Sequence, residues 1–263
     1  MTTETFCDVA GRNAIVTGGA LGIGFAIAER FTKAGANCLI VDKDAEALAA
    51  AVSKLAGSAG RVVAFQADIA DKSTGSATVD RCVEEFGSVD ILINNAGIFP
   101  TSPVLDMSVE FLEHVLAVNI IGLVLMSKAV GNQMKQQKAR GRIVNIASID
   151  SVHPSMIGLA AYDTSKGGVL MFTKSFALEM AQFGVNVNAI APGGIATEGA
   201  SAPMGELSPE QMDQVMADFV AQVPLSRIGT PDEIARVAQF LASDGADYMT
   251  GSLVTVDGGR LLM

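Results

Sequence analysis

The sequence predicts a doubly wound α/β fold, in which helices cover both faces of a parallel sheet. Short apolar runs, such as residues 13–17, 38–42 and 142–146, alternate along the chain with longer segments of helical periodicity. Most of these runs are continuously apolar, which is typical of strands that are buried on both faces. No linker, repeat or low-complexity segment interrupts the alternation. One domain over residues 1–263 is therefore expected.

The predicted elements follow one another in a regular order. Strands are expected at residues 13–17, 38–42, 62–67, 89–94, 142–146, 185–191 and 253–256. Helices are expected at residues 22–34, 44–55, 71–86, 108–135, 162–183 and 231–242. Gly35 is typical of the residue that ends a helix, and Ser108 of the residue that begins one. The stretch 193–224 is less regular and contains a further helix starting at Ser208-Pro209-Glu210.

Composition excludes several classes of protein. With 49% hydrophobic and 17% charged residues, a chain of 263 residues is long enough for a sizeable core and is not disordered. A net charge of −10 argues against a nucleic-acid partner. The three isolated cysteines indicate buried thiols in a reducing compartment. A cytoplasmic location is therefore expected.

Membrane and metal sites are not expected either. The first residues carry acids and no basic segment before an apolar run, so they do not resemble a secretory signal. The longest apolar run, 115–126, is interrupted by Asn119 and is too short to span a bilayer of about 30 Å. His114 and His153 are the only histidines, and no cluster has the spacing of metal ligands.

Tyr162 and Lys166 are four residues apart on a predicted helix, so they lie on one face, one turn from each other. A phenol normally ionises near pH 10, too high for a general base at neutral pH. A neighbouring ammonium stabilises the phenolate and lowers that pKa. The pair therefore predicts a phenol that exchanges protons with a substrate.

A glycine-rich stretch, residues 17–24, connects the first strand to the first helix. Glycines at this point let the backbone turn sharply and approach a ligand, while the helix N-terminus attracts a pyrophosphate. The alternative is a glycine-rich turn without a ligand. Position directly after the first strand favours a dinucleotide site, although the spacing Gly-x-x-x-Gly-x-Gly differs from the commoner Gly-x-Gly-x-x-Gly.

Asp42 ends the second strand, about 20 residues after the glycine-rich stretch. A carboxylate there can accept hydrogen bonds from both hydroxyls of the adenosine ribose, and it would repel the 2′-phosphate of NADP. Leu21 offers no basic group to that phosphate, whereas the basic residue Lys43 slightly favours NADP. The alternative role for Asp42 is that of a helix N-cap, which Asp44 could supply instead.

Several stretches, in order, together resemble one family. They are Thr17-Gly18-x-x-x-Gly22-Ile23-Gly24, Asn94-Asn95-Ala96-Gly97, Asn119, Ser148, Tyr162-x-x-x-Lys166, Pro192-Gly193-Gly194 and Val256-Asp257-Gly258-Gly259. The combination resembles the single-domain short-chain dehydrogenase/reductase family over essentially the whole chain. The resemblance implies a seven-stranded Rossmann sheet, a nicotinamide cofactor and oxidoreduction of an alcohol or carbonyl. It also implies a tetramer.

The same resemblance implies a role for each matching residue. Tyr162 would donate or accept the proton, Lys166 would lower its pKa and hold the nicotinamide ribose, and Ser148 would bind the substrate oxygen. Asn119 would help a water chain deliver protons to Lys166; its alternative role is a structural amide. The implied cofactor-binding residues are Gly18, Leu21, Gly22, Ile23, Gly24, Asp42, Lys43, Asp68, Ile69, Asn95, Ala96, Gly97, Tyr162, Lys166, Pro192, Gly193, Ile195 and Thr197.

The sequence indicates the residues that would contact the substrate less clearly. Asp150 and His153 stand between Ser148 and Tyr162, where such proteins often carry small residues, so they could bind a polyhydroxylated substrate. A solvated loop with a capping Asp is the alternative. Met204 belongs to the expected lid, about residues 196–224, whose methionines suit an apolar substrate or ordinary packing.

The sequence thus predicts an NAD-dependent dehydrogenase that interconverts a secondary alcohol and its ketone. The alcohol could be a sugar, polyol, cyclic alcohol or hydroxysteroid. One alternative is an NADPH-dependent 3-oxoacyl-(acyl-carrier) reductase, and another is a non-catalytic dinucleotide-binding regulator. The predicted helix 162–183 is apolar nearly all round, which favours a symmetric homodimer or homotetramer.

Overall fold

A seven-stranded parallel sheet forms the centre of the computed structural model, which describes residues 7–138, 140–197, 214 and 217–263. The strands are β1 Asn13–Thr17, β2 Asn37–Asp42, β3 Val62–Gln66, β4 Ile91–Asn94, β5 Gly141–Ile146, β6 Val185–Pro192 and β7 Leu253–Val256. Their order across the sheet is β3-β2-β1-β4-β5-β6-β7, and every neighbouring pair is parallel. The predicted doubly wound, seven-stranded sheet is confirmed.

Helices cover both faces of the sheet. They are α1 Gly22–Lys33, α2 Ala45–Leu55, α3 Thr74–Phe86, α4 Val109–Leu116, α5 Leu123–Gln137, α6 Ala160–Ala181 and α7 Pro231–Ala242. Buried side chains of α1, α2 and α7 share one core cluster, and those of α3, α5 and α6 share a second. The capping box of Thr230 and Glu233, with Pro231 at the first helical position, begins α7 at its predicted residue.

Adjacent residues of the central strands serve the two cores alternately. Ile15 pairs with Leu39, and both belong to the α3/α5/α6 core; Val16 pairs with Ile40, and both belong to the α1/α2/α7 core. All four side chains are fully buried. This two-sided burial explains why the strands are continuously apolar in the sequence.

The chain reverses its direction of winding between β1 and β4. From β1 it moves outwards to β2 and β3, and it then returns to place β4 on the other side of β1. A sheet of this kind has a crevice at the carboxyl ends of its strands, next to the reversal. Residues after β1, β2, β4, β5 and β6 therefore converge on one region.

The predicted helix 108–135 is not one regular helix. Ser108 caps it as expected, since its side chain accepts a hydrogen bond from Phe111 N, but a π-helical segment, Ala117–Gly122, separates α4 from α5. This segment turns the Asn119 side chain towards the backbone of Ile98. Short π segments within α-helices occur frequently at functional sites.

By length and composition, the helical run Val109–Gln137 could cross a membrane. In this fold the run packs against α3, α6 and β4. The buried helices of a parallel α/β sheet meet the same criteria of length and composition. The run is therefore a structural part of the sheet's cover.

Two element boundaries differ from the sequence prediction for a local reason. β4 begins at Ile91 rather than at residue 89, because the Asp90 carboxylate accepts a hydrogen bond from Asn13 N. α3 begins at Thr74 rather than at residue 71, because Asp71 accepts hydrogen bonds from the backbone and side chain of Ser73. The helix predicted at 208–210 lies outside the described residues, whereas 217–221 are helical.

Candidate active site

The glycine-rich turn after β1 is held by the turn that follows β4. Thr17 Oγ1 accepts hydrogen bonds from the backbone N–H groups of Asn95 and Ala96, at 3.0 and 3.1 Å. The Asn95 side-chain amide donates to Thr17 O and Gly18 O, both at 3.0 Å. A side chain at Gly18 would put its Cβ 2.9 Å from Ala96 Cα. The two turns therefore form one rigid floor.

The N-terminus of α1 opens onto this floor. Among the described residues, no side chain caps the helix, and its first turn contains no acidic residue. The first N–H groups of such a helix are available to an anion, and the helix dipole favours negative charge there. Leu21, Gly22 and Ile23 line the cleft beside it. These residues fit the pyrophosphate of a dinucleotide.

Gly24 has a different position from its neighbours. A Cβ there would lie 2.0 Å from Gly18 O, so no side chain fits, and the residue is absent from the lining of the cleft. The resemblance implied that Gly24 binds cofactor. In the structure it instead lets α1 pack closely against the turn that would bind it.

Asp42 lines the cleft at the end of β2. Its carboxylate accepts weak hydrogen bonds from Ala20 N at 3.4 Å and Asp44 N at 3.3 Å. The capping role is filled by Asp44, whose carboxylate accepts from the N–H groups of Glu46 and Ala47, both at 3.0 Å. The Asp42 carboxylate thus has acceptor capacity left for a ribose. Exposed Lys43 lines the cleft beside it.

The remaining predicted cofactor positions surround the same cleft, which has a volume of about 1050 Å³. Those after β3 and β4 lie on one side of it, and those after β6 lie on the other. They are Asp68, Ile69, Asn95, Ala96, Gly97, Pro192, Gly193, Ile195 and Thr197. A Cβ at Gly193 would lie 2.8 Å from Asp257 Cα, so the turn after β6 is held tightly against the segment after β7.

Ser148 begins a short 3₁₀ turn, Ile149–Ser151, directly after β5. Its Oγ donates to the Asp150 carboxylate at 3.0 Å and accepts a hydrogen bond from Asp150 N at 3.1 Å. Ser148 N in turn donates to Ser151 Oγ at 3.3 Å. Ser148 is buried but lines the cleft, as does Asp150. The turn fixes the Ser148 hydroxyl in position.

Tyr162 lies on the first turn of α6 and faces the cleft, with the ring of Phe99 edge-on at 6.1 Å between centroids. Burial raises the pKa of Tyr162 above its ordinary value; a hydrogen bond with Ser148 opposes this, and the charges of Asp150 and Asp163 add to it. The net effect is a raised pKa, because desolvation of the phenol and the two nearby carboxylates disfavour the phenolate. That Lys166 lowers this pKa stays a prediction.

Lys166 lies one turn further along α6 and is buried. Its Nζ donates to Ile146 O at 2.7 Å and lies 5.7 Å from the centre of the Tyr162 ring. Burial lowers the pKa of Lys166 to about 8. A Cβ at Gly97 would lie 3.5 Å from Nζ, so the turn after β4 passes directly over the ammonium.

Asn119 is buried in the π segment, and both N–H donors of its amide are engaged. Nδ2 donates to Ile98 O at 2.7 Å and to Ser165 Oγ at 3.0 Å, while Oδ1 accepts from Ile98 N at 2.8 Å. The side chain thus ties the turn after β4 to α6. It is absent from the lining of the cleft, although Oδ1 would lie 3.3 Å from a Cβ at Gly97.

Two predicted substrate residues stand apart from the others. His153 is exposed and does not line the cleft, so the structure does not bring it to Ser148 and Tyr162. Met204 lies outside the described residues, as does most of the expected lid. Within the described ranges, no group of His, Cys, Asp or Glu side chains could hold a metal ion.

The structure adds cleft residues that the sequence reasoning missed. They include Phe99, His114, Val118, Met156, Leu159, Gln222 and Arg260. His114 and Val118 are one helical turn apart next to Asn119, and Arg260 follows the Val256–Gly259 motif, so their neighbours in the sequence could have indicated them. Arg260 Nη2 donates to Gln222 Oε1 at 2.7 Å.

The fold and the site together define an oxidoreductase that uses a nicotinamide dinucleotide. A family model described as "Enoyl-(Acyl carrier protein) reductase" matches residues 18–260. The chain belongs to the short-chain dehydrogenase/reductase family, as its motifs predicted.

Relatives in this family have several activities. Glucose 1-dehydrogenase 2 of Bacillus subtilis is 35% identical over 97% of this chain and 96% of its own length. The 3-oxoacyl-[acyl-carrier-protein] reductase FabG of Chlamydia trachomatis is 36% identical over 94% of this chain and 96% of its own. A Beutenbergia cavernae protein, described as an NAD(P)-dependent gluconate 5-dehydrogenase, superposes with a TM-score of 0.89. It is 35% identical, the match covers 98% and 99% of the two chains, and its crystal structure contains NADP at low occupancy.

Proposed function

We propose that this protein is an NAD-dependent dehydrogenase that interconverts a secondary alcohol and its ketone, with Tyr162 as acid/base. The observation that carries the proposal is the convergence of Ser148, Tyr162 and Lys166 on one end of a cleft whose other end contains Asp42. A non-catalytic regulator would bind a dinucleotide without needing the first three side chains. The geometry therefore supports a reaction in preference to binding alone.

Each of these side chains has a chemical task in the proposed reaction. A bound nicotinamide dinucleotide would supply the hydride acceptor. Tyr162 takes the proton from the alcohol oxygen, and Ser148 positions that oxygen by a hydrogen bond. Lys166 binds the nicotinamide ribose and stabilises the Tyr162 phenolate by its charge. Asn119 holds the turn over Lys166 and helps to pass the proton onwards.

The raised pKa of Tyr162 sets a requirement for this mechanism. A base must have a pKa near the working pH, whereas burial here keeps the phenol protonated. Binding of an oxidised, cationic nicotinamide next to the phenol would oppose that effect together with Lys166. We therefore expect Tyr162 to become an effective base only in the complex with cofactor, which would couple proton removal to cofactor binding.

The preference for NAD rests on Asp42. A carboxylate at this position accepts hydrogen bonds from the adenosine ribose hydroxyls and repels a 2′-phosphate. Its alternative structural role, that of capping α2, is filled by Asp44. Lys43 next to it and the NADP found with the gluconate dehydrogenase relative favour the other cofactor, so NADP is the alternative.

Two substrate classes have support among the relatives. Glucose 1-dehydrogenase 2 supports a sugar or polyol, and cyclic alcohols and hydroxysteroids remain within the proposed range. The relative FabG supports the alternative, reduction of a 3-oxoacyl chain on an acyl carrier. That alternative uses NADPH, and Asp42 disfavours it for this chain.

The proposed enzyme is a cytoplasmic homotetramer or homodimer of single-domain subunits, residues 1–263, with a lid at about 196–224. Met171 and Leu178 on α6 are 60% and 82% exposed, which supports burial of this face by a second subunit. We propose no metal, nucleic-acid or membrane partner. The net charge of −10 supports the absence of nucleic acid.

A substrate screen tests the proposed function directly. Sugars, polyols, cyclic alcohols, hydroxysteroids and a 3-hydroxyacyl thioester are offered with NAD or NADP, and the reduced cofactor is measured by absorbance. We expect turnover of a free secondary alcohol with NAD. Turnover of the thioester alone with NADP would establish the reductase alternative, and binding of NAD without turnover of any compound would indicate a regulator.

A further inference from the structure

Arg260 differs from the other arginines of the chain in its lack of an ion pair. Each of the other eight pairs with at least one Asp or Glu side chain; they are Arg12, Arg30, Arg61, Arg81, Arg140, Arg142, Arg227 and Arg236. Among the described residues, no carboxylate forms an ion pair with Arg260. An arginine without a carboxylate partner is unexpected in a chain whose net charge is −10.

The hydrogen-bonding capacity of Arg260 is also mostly unused. A guanidinium has five N–H donors. In the part of the chain that the structure describes, Nη2 donates to Gln222 Oε1 at 2.7 Å, and Nε is buried without a partner. Gln222 is itself oriented, because its Nε2 donates to Asp218 O at 3.2 Å. An arginine with a purely structural role would have its buried donors satisfied, since an unpaired buried donor costs free energy.

The backbone on both sides of Arg260 is fixed by one carboxylate. Asp257 accepts hydrogen bonds from Gly259 N at 2.8 Å and from Leu261 N at 2.9 Å. These residues directly precede and follow Arg260 in the chain. Its side chain therefore starts from a fixed position, as specific recognition of a ligand requires.

Arg260 lines the cleft on the side where the nicotinamide is proposed to bind. Gly193, in the turn after β6, donates its N–H to Val256 O at 3.0 Å, and a Cβ at Gly193 would lie 2.8 Å from Asp257 Cα. The segment that carries Arg260 is thus packed against this turn. It follows β7, the edge strand on the other side of the sheet from β2 and Asp42.

The other cationic side chains in the described lining of the cleft have different tasks. Exposed Lys43 lies beside the carboxylate of Asp42, at the end proposed for the adenosine. Lys166 is buried, donates to Ile146 O and is proposed to bind the nicotinamide ribose. A negatively charged group on a substrate at the nicotinamide end would therefore be attracted to Arg260.

The charges around Arg260 favour an anion that carries a single negative charge. A guanidinium can bind either a carboxylate or a phosphate. One guanidinium balances the charge of one carboxylate but not that of a phosphate dianion. Asp150 and Asp218 also line the cleft, and their charges would repel an anion the more strongly the higher its charge. A carboxylate is therefore the better match.

We propose that Arg260 is a specificity-determining residue that binds a carboxylate of the substrate, so that the alcohol oxidised in this cleft is a hydroxy acid. The inference rests on the proposed function and deepens it, because it names the class of substrate. Nε is screened from solvent, so the carboxylate would bind the Nη groups through charge-assisted hydrogen bonds. Gln222 would keep the guanidinium in the orientation that presents them.

Hydroxy acids and their primary amides are suitable probes, because each pair has nearly the same size and differs in charge. We choose 3-hydroxybutyrate, gluconate and 4-hydroxycyclohexanecarboxylate, each with its amide. The acids differ in the distance between alcohol and carboxylate, so the test does not assume that distance. The kcat/KM of each acid and amide is measured with the cofactor that the substrate screen shows to be used.

We expect the wild-type enzyme to prefer the acid in at least one pair, with an acid/amide ratio of kcat/KM of about ten or more. Arg260→Gln removes the charge and keeps a polar side chain. It should lower that ratio by about 10–100-fold, the effect typical of a lost hydrogen bond to a charged group. The loss should appear mainly in KM for the acid, since the carboxylate takes no part in the chemical step.

Further variants separate charge recognition from a general effect on the cleft. Arg260→Lys keeps the charge but loses the planar fork, so it should retain part of the acid preference. Gln222→Glu leaves Arg260 intact but places a competing carboxylate against its guanidinium, so the ratio should fall in the same direction. Arg236→Gln, at an exposed position on α7, is the control and should keep the ratio within about twofold of wild type. The affinity for the cofactor should stay unchanged in all four variants.

The outcomes distinguish this proposal from the proposed function. Oxidation of neutral alcohols with an acid/amide ratio that is the same in wild type and Arg260→Gln would overturn the carboxylate site while the dehydrogenase stands. A lower cofactor affinity in Arg260→Gln with an unchanged ratio would also overturn it, because Arg260 would then bind the cofactor.

If the wild-type chain oxidises none of the compounds, the proposed reaction fails, and calorimetric titration of the acids into the enzyme–cofactor complex decides on the site alone. Binding of an acid that is lost in Arg260→Gln and kept in Arg236→Gln would support the carboxylate site. Absence of binding, or equal binding by wild type and Arg260→Gln, would overturn it.

Discussion

The two ends of the cleft are built in different ways. At the end proposed to bind the cofactor, the protein offers mainly backbone groups, in the glycine-rich turn and at the uncapped start of α1, together with the carboxylate of Asp42. At the end proposed to be catalytic, it offers polar side chains that are largely buried, and Ser148 and Lys166 are only 6% and 5% exposed. Binding at the first end depends on the space left by glycines and on the direction of backbone hydrogen bonds. The chemistry at the second end depends on charged groups that are buried away from water.

Because of this difference, substitutions at the two ends should change different measurable properties of the protein. A substitution at the cofactor end acts through steric overlap or lost ribose contacts, so it should change stability and cofactor affinity. A substitution at the catalytic end acts on protonation, so it should change kcat and pH dependence while the fold persists. The predictions below test that division, beginning with the largest effect.

Replacement of Tyr162 by Phe should give the largest loss. The ring and its edge-on contact with Phe99 remain, but the hydroxyl that we propose accepts the alcohol proton is removed. We expect kcat to fall by about 10²–10⁴-fold, the range typical of a lost general acid/base, while NAD still binds. Steady-state kinetics and cofactor titration measure the two quantities.

Tyr248 provides the matched control for this change. It is the only other tyrosine of the chain and is fully exposed, so Tyr248→Phe should keep wild-type turnover. A Tyr162→Phe enzyme with more than about a tenth of wild-type kcat would show that another group carries the proton.

Gly24→Ala should be the most damaging small substitution at the cofactor end. The added methyl group would lie 2.0 Å from Gly18 O, which forces α1 away from the turn. Overpacking of this kind costs about 1–3 kcal/mol, and the same displacement should weaken NAD binding. Urea denaturation and NAD titration measure both effects.

Gly167→Ala, inside α6, is the control, because a Cβ at Gly167 would lie 3.9 Å from its nearest neighbour beyond the adjacent helical backbone, Ser151 O. It should leave stability unchanged or raise it slightly, since Ala is the better helix former. Equal destabilisation by both variants would contradict the close packing argued for Gly24.

The sequence predicted more of the fold and of the cofactor end than of the catalytic end. The parallel sheet, α7 and β7 followed from continuous apolar runs and capping residues, which are local signals. The gathering of Asp42 and the glycine-rich turn at one edge also followed, because the carboxyl ends of parallel strands meet there. Local patterns sufficed because the cofactor end is made of local backbone.

The pKa values and hydrogen bonds at the catalytic end could not be predicted from the sequence, because they depend on burial in the folded structure. The spacing of Tyr162 and Lys166 placed them on one helix face, but it could not show that desolvation and two carboxylates raise the tyrosine pKa. Nor could it show that Asn119 lies in a π segment with both amide N–H donors bonded. Those facts arise from residues that are distant in sequence.

Asp42→Ala should change cofactor choice rather than the chemical step. Loss of the carboxylate would remove the proposed ribose contacts and the proposed repulsion of a 2′-phosphate. We expect the NAD/NADP ratio of kcat/KM to fall at least tenfold, which corresponds to about 1.4 kcal/mol. Asp44→Ala should reduce stability through loss of the α2 cap but leave this ratio unchanged. An unaltered ratio in Asp42→Ala would mean that this carboxylate does not contact the ribose.

The smallest predicted effect concerns Asp163, which lies on α6 next to Tyr162 but does not line the cleft. Burial, followed by the charge of Asp150, raises the pKa of Asp163 to about 6. Because the folded pKa lies above the unfolded one, ionisation of this carboxyl costs stability. That cost is absent at low pH, grows as the pH rises to about 6 and is complete above it.

Asp163→Asn removes this cost and should therefore stabilise the fold at about pH 8, on the order of 1 kcal/mol because the partly solvated side chain is screened. The gain should vanish near pH 4, where Asp163 is itself neutral in the folded state. Urea denaturation at the two pH values measures it, and Asp80→Asn, at an exposed position on α3, should show no such pH-dependent gain. A gain of the same size at both pH values would mean that the amide acts through packing or hydrogen bonding, and that the charge of Asp163 is not costly at the catalytic end.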